Sequence, residues 1–186
     1  MSRRMNHRPS RSFPAFAAAL AMTAATVSFG VAAKDKSEPF VATAHIYETL
    51  AVPSGDGNCT PTEQHPGVAA TGTITGSGLS NVIGPFDVSS YDCIRSDVPG
   101  QFSPPFTFGS STFTLITANG DTLVASYDGK AELNSLGLLV LDGNYKITGG
   151  TGQFHKAKGK GTLTGVENIG TAPATGFVTL TGQIKR

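Results

Sequence analysis

Beyond residue 33, no window of a dozen residues keeps apolar side chains at three-to-four spacing while free of Gly, Pro and Thr. Apolar and polar residues alternate instead along nearly the whole chain. A chain with that period can bury one face only by forming β-strands, because successive strand side chains point to opposite sides of a sheet. Residues 41–50 read as a first strand, 53–66 as a Pro- and Gly-rich loop holding Cys59, and 67–78 as a second strand with Thr71, Thr73, Thr75 and Ser77 on one face. A third strand falls near 82–92. Pro99-Gly100 and Pro104-Pro105 exclude regular pairing over 97–105, and a strand bearing Phe113, Leu115 and Thr117 follows. Asn119-Gly120 is read as a tight hairpin turn with positive φ angles, returning through Leu123, Ala125 and Tyr127. Residues 137–148 form the clearest strand, with Leu139, Leu141, Tyr145 and Ile147 in phase, and two more follow at 159–166 and 175–185.

Seven or eight short antiparallel strands joined by turns predict an all-β barrel or sandwich. A closed antiparallel barrel of about eight strands is the better reading. The chain has 23 glycines, and those inside strands, such as Gly72, Gly76, Gly143, Gly161 and Gly182, ease the bending that closure requires. A β-solenoid is the runner-up, because Gly-Thr units recur, but their irregular spacing argues against a single repeat.

The first 33 residues have the form of a secretory signal peptide: Arg3, Arg4, Arg8 and Arg11, an apolar run from Phe13 to Val31, then Val31-Ala32-Ala33. An uncleaved membrane anchor is the alternative. The expected organisation is a signal peptide over 1–33 and one β-barrel domain over 34–186, exported to the periplasm or secreted. Four of the 14 basic residues leave with the leader while all 13 acids stay. The remainder is mildly acidic, which offers no footprint for nucleic acid or an anionic membrane surface. Cys59 and Cys93 are the only cysteines, and in an exported chain such a pair reads as a disulfide, with two buried free thiols as the alternative.

Tyr145 to Gly159 runs from a strand into Gly149-Gly150-Thr151-Gly152, then Phe154, Ala157 and Gly159. This segment resembles the turn and strand shared by dirigent proteins and allene oxide cyclases, where Gly-Gly-Thr/Ser-Gly precedes an aromatic and Ala-x-Gly. The likeness extends over roughly residues 110–184. It implies a calycin-type barrel of eight strands with an apolar lumen, plugged at one end by Phe154, and plant barrels of this kind commonly trimerise. The acidic and arginine residues of the plant enzymes lie in N-terminal strands that this sequence does not match, so the resemblance carries no catalytic residue across.

Motifs for other chemistries are missing. Gly159-Lys160 lacks the preceding glycine and following hydroxyl of a phosphate loop, and Asp56-Gly57-Asn58 is followed by Thr60 and Pro61 where a calcium loop needs a ligand and a glycine. No Gly-x-Ser-x-Gly elbow is present. His45, His65 and His155 are too scattered to suggest a metal site. No cofactor and no metal are therefore expected. The candidate lumen polar groups are His45, Tyr47, Asp92, Arg95 and Tyr127; Asp92 and Arg95 could protonate and hold an oxygenated ligand or form a surface ion pair.

Three functions remain open: a non-enzymatic exported barrel holding a small apolar ligand, which leads; an isomerase, cyclase or dirigent-type enzyme on a hydrophobic substrate; and a structural envelope or matrix protein. The second requires a buried acid or arginine of shifted pKa beside an open cavity. The third requires self-association through an exposed apolar patch.

Overall fold

A computed structural model describes residues 36–51 and 59–186. The signal segment 1–33 and Asp56-Gly57-Asn58 lie outside them. Eight strands follow one another among the described residues: β1 Glu38–Ala51, β2 Ala69–Ser80, β3 Gly84–Ser96, β4 Phe106–Thr117, β5 Thr122–Leu133, β6 Leu139–Gly150, β7 Lys158–Asn168 and β8 Ala174–Lys185. Each pairs antiparallel with the next, and β8 returns to pair with β1 from Glu38↔Ile184 to Glu48↔Ala174. The all-β closed barrel read from the alternation is the observed fold, and the closing pair rules out both sandwich and solenoid. Among the described residues no helix is long and apolar enough to cross a membrane.

Strand boundaries fall within a few residues of those expected, with one exception. β4 starts at Phe106, directly after Pro105, and not near Phe113. Its first half is masked in sequence by a bulge: register shifts between Ser110 and Phe113 against β5, and between Ser89 and Cys93 where β3 meets β4. An extra residue breaks the two-residue phase, so Phe106 and Phe113 both face inward at an odd separation.

The hairpin at Asn119-Gly120 also differs from expectation. Among the described residues only glycines have positive φ, so Asn119 does not. Gly120 (φ 85°) donates its N–H to Thr117 O at 2.9 Å and Thr117 N–H reaches Asp121 O at 2.9 Å. That is a three-residue loop, 118–120, with left-handed glycine last. The β5–β6 connection repeats it, with Gly137 (φ 77°) and the pair Asn134 N–Leu138 O at 2.9 Å.

The inner surface alternates large and absent side chains. Tyr145 on β6 lies against Gly161 of β7 and Gly182 of β8, and the tip of the Phe108 ring fills the space beside Gly129. A methyl group at any of these glycines would overlap the ring. Much of the glycine content thus makes room inside a narrow barrel, beyond the bending argued from sequence.

One end of the barrel is sealed. Phe40, Leu115, Leu123, Ile147, Phe154 and Ile184 are all fully buried there. Phe154 sits on a short 3-10 turn, Gly152–Phe154. The turn is latched to the β4–β5 hairpin by Thr151 N–H to Thr122 O at 2.9 Å and by the Asp121 carboxylate, which accepts from Gln153 N–H at 3.3 Å. That carboxylate occupies the place a Cβ would take on Gly152, whose φ is 52°. The glycines of the motif are therefore required, and Phe154 is the plug they position.

The opposite end carries the β1–β2, β3–β4, β5–β6 and β7–β8 connections. There Cys59 is joined to Cys93 of β3 in a disulfide, with Cα atoms 5.3 Å apart. At the seam between the first and last strands, Arg186 pairs with Glu38 at 2.7 Å and Ser37 Oγ donates to Gln183 Oε1 at 3.2 Å.

Candidate functional site

At the open end the core gives way to a cavity of about 70 Å³. Its walls are apolar, including Ile74, Phe106, Phe113, Leu141 and Val178, and its rim is formed by Leu50, Phe102 and Ile169, which are partly exposed. Four polar side chains face into it: Glu48 of β1, Asp92 of β3, Tyr127 of β5 and Glu167 of β7. They come from alternate strands, the arrangement in which side chains form one layer across a barrel.

The intervening strands make room for that layer. A methyl on Gly72 of β2 would collide with both Glu48 Oε1 and Asp92 Oδ1, so these two oxygens converge beside its Cα. On β8, Ala174 pairs with Glu48 and Gly176 pairs with Glu167. Small residues there let the β1 and β7 carboxyls approach across the strand between them. Unbroken alternation along β3 turns both Asp92 and Ser90 inward. The Tyr127 hydroxyl donates to Asp92 Oδ2 at 3.0 Å and lies 3.2 Å from Ser90 Oγ. The Tyr127 ring is itself fixed edge-on to Phe113, with centroids 5.4 Å apart.

Glu48, Asp92 and Glu167 are only 5%, 4% and 4% exposed. Burial pushes the Glu48 carboxyl from 4.5 up to about 10, the Asp92 and Glu167 charges adding to it. Glu48 is consequently the protonated member, donating toward its neighbours. Asp92 rises from 3.8 to about 6 through burial, while hydrogen bonds from Tyr127 and Glu48 pull it back. Glu167 also moves up through burial, opposed by Glu48. Burial raises Tyr127 well above its usual value, with the Asp92 charge reinforcing it. The layer thus holds a neutral acid and a carboxylate side by side. One oxygen of each carboxyl, Glu48 Oε1, Asp92 Oδ1 and Glu167 Oε1, has no hydrogen-bond partner.

Of the residues read as lumen candidates, Asp92 and Tyr127 are in the layer. His45, Tyr47 and Arg95 are not, because each is out of phase with the inward residues of its strand. His45 and Tyr47 lie outside, between the inward Ala44, Ile46 and Glu48, and their rings pack together 4.6 Å apart, with Phe177 4.7 Å from His45. Arg95 is three residues from Asp92, an odd step that puts it on the opposite face, where its Nε donates to Thr60 O at 2.8 Å. The proposed Asp92–Arg95 partnership is therefore excluded. Glu48 and Glu167 escaped sequence reasoning although the signal existed. Glu48 continues Ala42, Ala44 and Ile46, and Glu167 continues Leu163 and Gly165, each in the inward phase.

Among the described residues no group of three or more His, Cys, Asp or Glu side chains is arranged to hold a metal ion. No family model, curated protein or solved structure matches the chain. What fold and site define together is a class: a small closed barrel, sealed at one end, with an apolar cup at the other whose wall carries a layer of acids.

Proposed function

We propose that the chain is an exported barrel of the allene oxide cyclase and dirigent type whose cup binds a small, largely apolar molecule. One observation carries this reading. An apolar cavity persists at one end of a barrel whose other end is packed shut, and its wall holds unpartnered polar atoms. A protein selected for stability alone would fill that space, since each unfilled methyl-sized void and each buried unsatisfied carboxyl is destabilising. The disulfide fits an oxidising environment, and together with the leader-like N-terminus it supports a secreted or periplasmic location. The Gly149–Gly159 turn supports the family reading.

A second reading, proton-transfer catalysis by an isomerase or cyclase, is favoured by the Glu48–Asp92 pair. Environments that split the protonation of two adjacent carboxyls supply an acid and a base at one pH. In that case Glu48 would protonate the substrate and Asp92 would take a proton from it.

The test is a native mass-spectrometry and thermal-shift screen of the purified protein against phenolics, short lipids and amines. Binding lost on narrowing the cup with Ala131→Phe supports the lumen; binding unaffected by that change overturns it. Turnover abolished by Asp92→Asn with binding retained would select the second reading.

A further inference from the structure

The lumen of this barrel has a one-sided chemistry. The titratable groups that line the cup are Glu48, Asp92, Tyr127 and Glu167, from β1, β3, β5 and β7; the cup residues of β2, β4, β6 and β8 contribute none, Tyr145 of β6 lying deeper in the barrel. No Lys, Arg or His is among the residues that form the cavity. An anionic ligand would therefore meet carboxyls and no countercharge, in a medium where unpaired charge is strongly disfavoured. The acid layer, by contrast, lacks a cation of its own. It also leaves three oxygens, Glu48 Oε1, Asp92 Oδ1 and Glu167 Oε1, without donors.

An alkylammonium head group carries one positive charge and three N–H donors. That number equals the number of orphan oxygens, and neutral carboxyls can still accept through their carbonyl oxygen. Around the acids the wall is aromatic: Phe113 stands edge-on to Tyr127, the Phe108 ring lies 5.9 Å from Tyr127, and Phe102 and Phe106 lie 4.8 Å apart toward the rim. Rings so placed attract a cation through their faces and cover the apolar remainder of a ligand.

From this geometry we infer that the cup selects a small hydrophobic primary amine, bound as its ammonium ion with the charge on the Glu48–Asp92–Glu167 layer, and rejects carboxylates. This names the ligand class for the binding function proposed above and rests on it. Binding adds a cation to a layer that holds protons, so protons leave the carboxyls for solvent as the amine enters. Lowering the pH through about 6 neutralises Asp92 and weakens the amine complex.

Isothermal titration with benzylamine, benzyl alcohol and benzoate, three ligands of one shape and different charge, tests the inference. The expected order at pH 7.5 is benzylamine at least tenfold tighter than benzyl alcohol, with no binding of benzoate. Benzylamine affinity should fall about tenfold at pH 5, where a group titrating near 6 is about nine-tenths protonated, while benzyl alcohol affinity should not change. Asp92→Asn and Glu167→Gln should each weaken benzylamine by at least tenfold and spare benzyl alcohol. Benzyl alcohol or benzoate binding as tightly as benzylamine overturns the amine assignment but leaves the cup as a binding site. Benzylamine affinity unchanged in the Asp92→Asn, Glu167→Gln double variant overturns it too, because the ammonium would then sit elsewhere. Failure of all three ligands overturns the amine assignment while the broader screen decides whether the cup binds anything.

Discussion

The two ends of the barrel are built from the same eight strands, yet they solve opposite problems. At the sealed end, six large apolar side chains interdigitate with no exposed surface, and the glycine turn exists to seat Phe154 among them. At the open end the same inward positions hold Glu48, Asp92, Tyr127 and Glu167 around a cavity. Close packing contributes stability in proportion to the apolar area removed from water. Buried carboxyls without countercharge oppose it. The contrast places the fold's stability at one end and its chemistry at the other, with Tyr145 and its glycine neighbours between them.

That division can be broken most strongly at the plug. Phe154→Ala should lower unfolding free energy by about 3–5 kcal/mol, measured by urea denaturation, whereas Phe102→Ala at the half-exposed cup rim should change it by less than about 1 kcal/mol and reduce ligand affinity instead. Equal effects at the two sites would erase the distinction. Reducing the Cys59–Cys93 disulfide, which closes a loop of 34 residues, should remove about 3–4 kcal/mol, read from the midpoint with and without dithiothreitol. The sealed end should stay compact in the reduced, still-folded protein, as hydrogen exchange at β6 would report.

The acid layer predicts a stability that depends on pH in an unusual direction. The folded pKa of Glu48, about 10, lies above its ordinary 4.5, so the folded chain holds a proton that the unfolded chain releases. Its contribution is complete below the ordinary value and is lost as pH climbs toward the folded one. Asp92 acts in the same sense between 3.8 and about 6. Stability should therefore fall between pH 5 and 8, by up to about 5 kcal/mol if both shifts are fully expressed, and Glu48→Gln should flatten that slope and stabilise the protein at pH 8. A flat profile in the unsubstituted protein would show that the carboxyls are solvated. Gly72→Ala, which pushes a methyl between Glu48 and Asp92, should cost about 1–2 kcal/mol and separate the two titrations in a pH-resolved infrared spectrum. Tyr47→Ala, on the outer wall, should change stability by less than about 0.5 kcal/mol and leave ligand binding intact.

How far each end could be read from sequence differs in the same way. The sealed end was legible: Leu123, Ala125, Tyr145 and Ile147 alternate cleanly, and the glycines before Phe154 mark a turn no other residue accommodates. The cup was half legible. Asp92 and Tyr127 stood out by residue type, but so did His45, Tyr47 and Arg95, which face outward. Residue type suggests what could do chemistry, whereas only strand phase tells which side of the wall it occupies. Counting in twos from Ala42 reaches Glu48 and passes over His45 and Tyr47. The bulge in β4 shows why such counting fails elsewhere, since one inserted residue moves every later side chain to the other face. That Glu48, Asp92 and Glu167 meet at all depends on which strands become neighbours on closure, and no local pattern encodes it.

The seam where β8 returns to β1 sets the order of assembly. Those two strands lie farthest apart along the chain, so their ladder, ending in the Glu38–Arg186 pair, can zip only after every intervening hairpin has formed. Loop-closure entropy then concentrates in the last step, and refolding should be slow, in the millisecond-to-second range of proteins rich in distant pairings. It also leaves residues 37 and 186 side by side. Tethering them with a few glycines and cutting the chain at Asn119 would turn the slowest pairing into a local hairpin and speed folding without altering the finished cylinder.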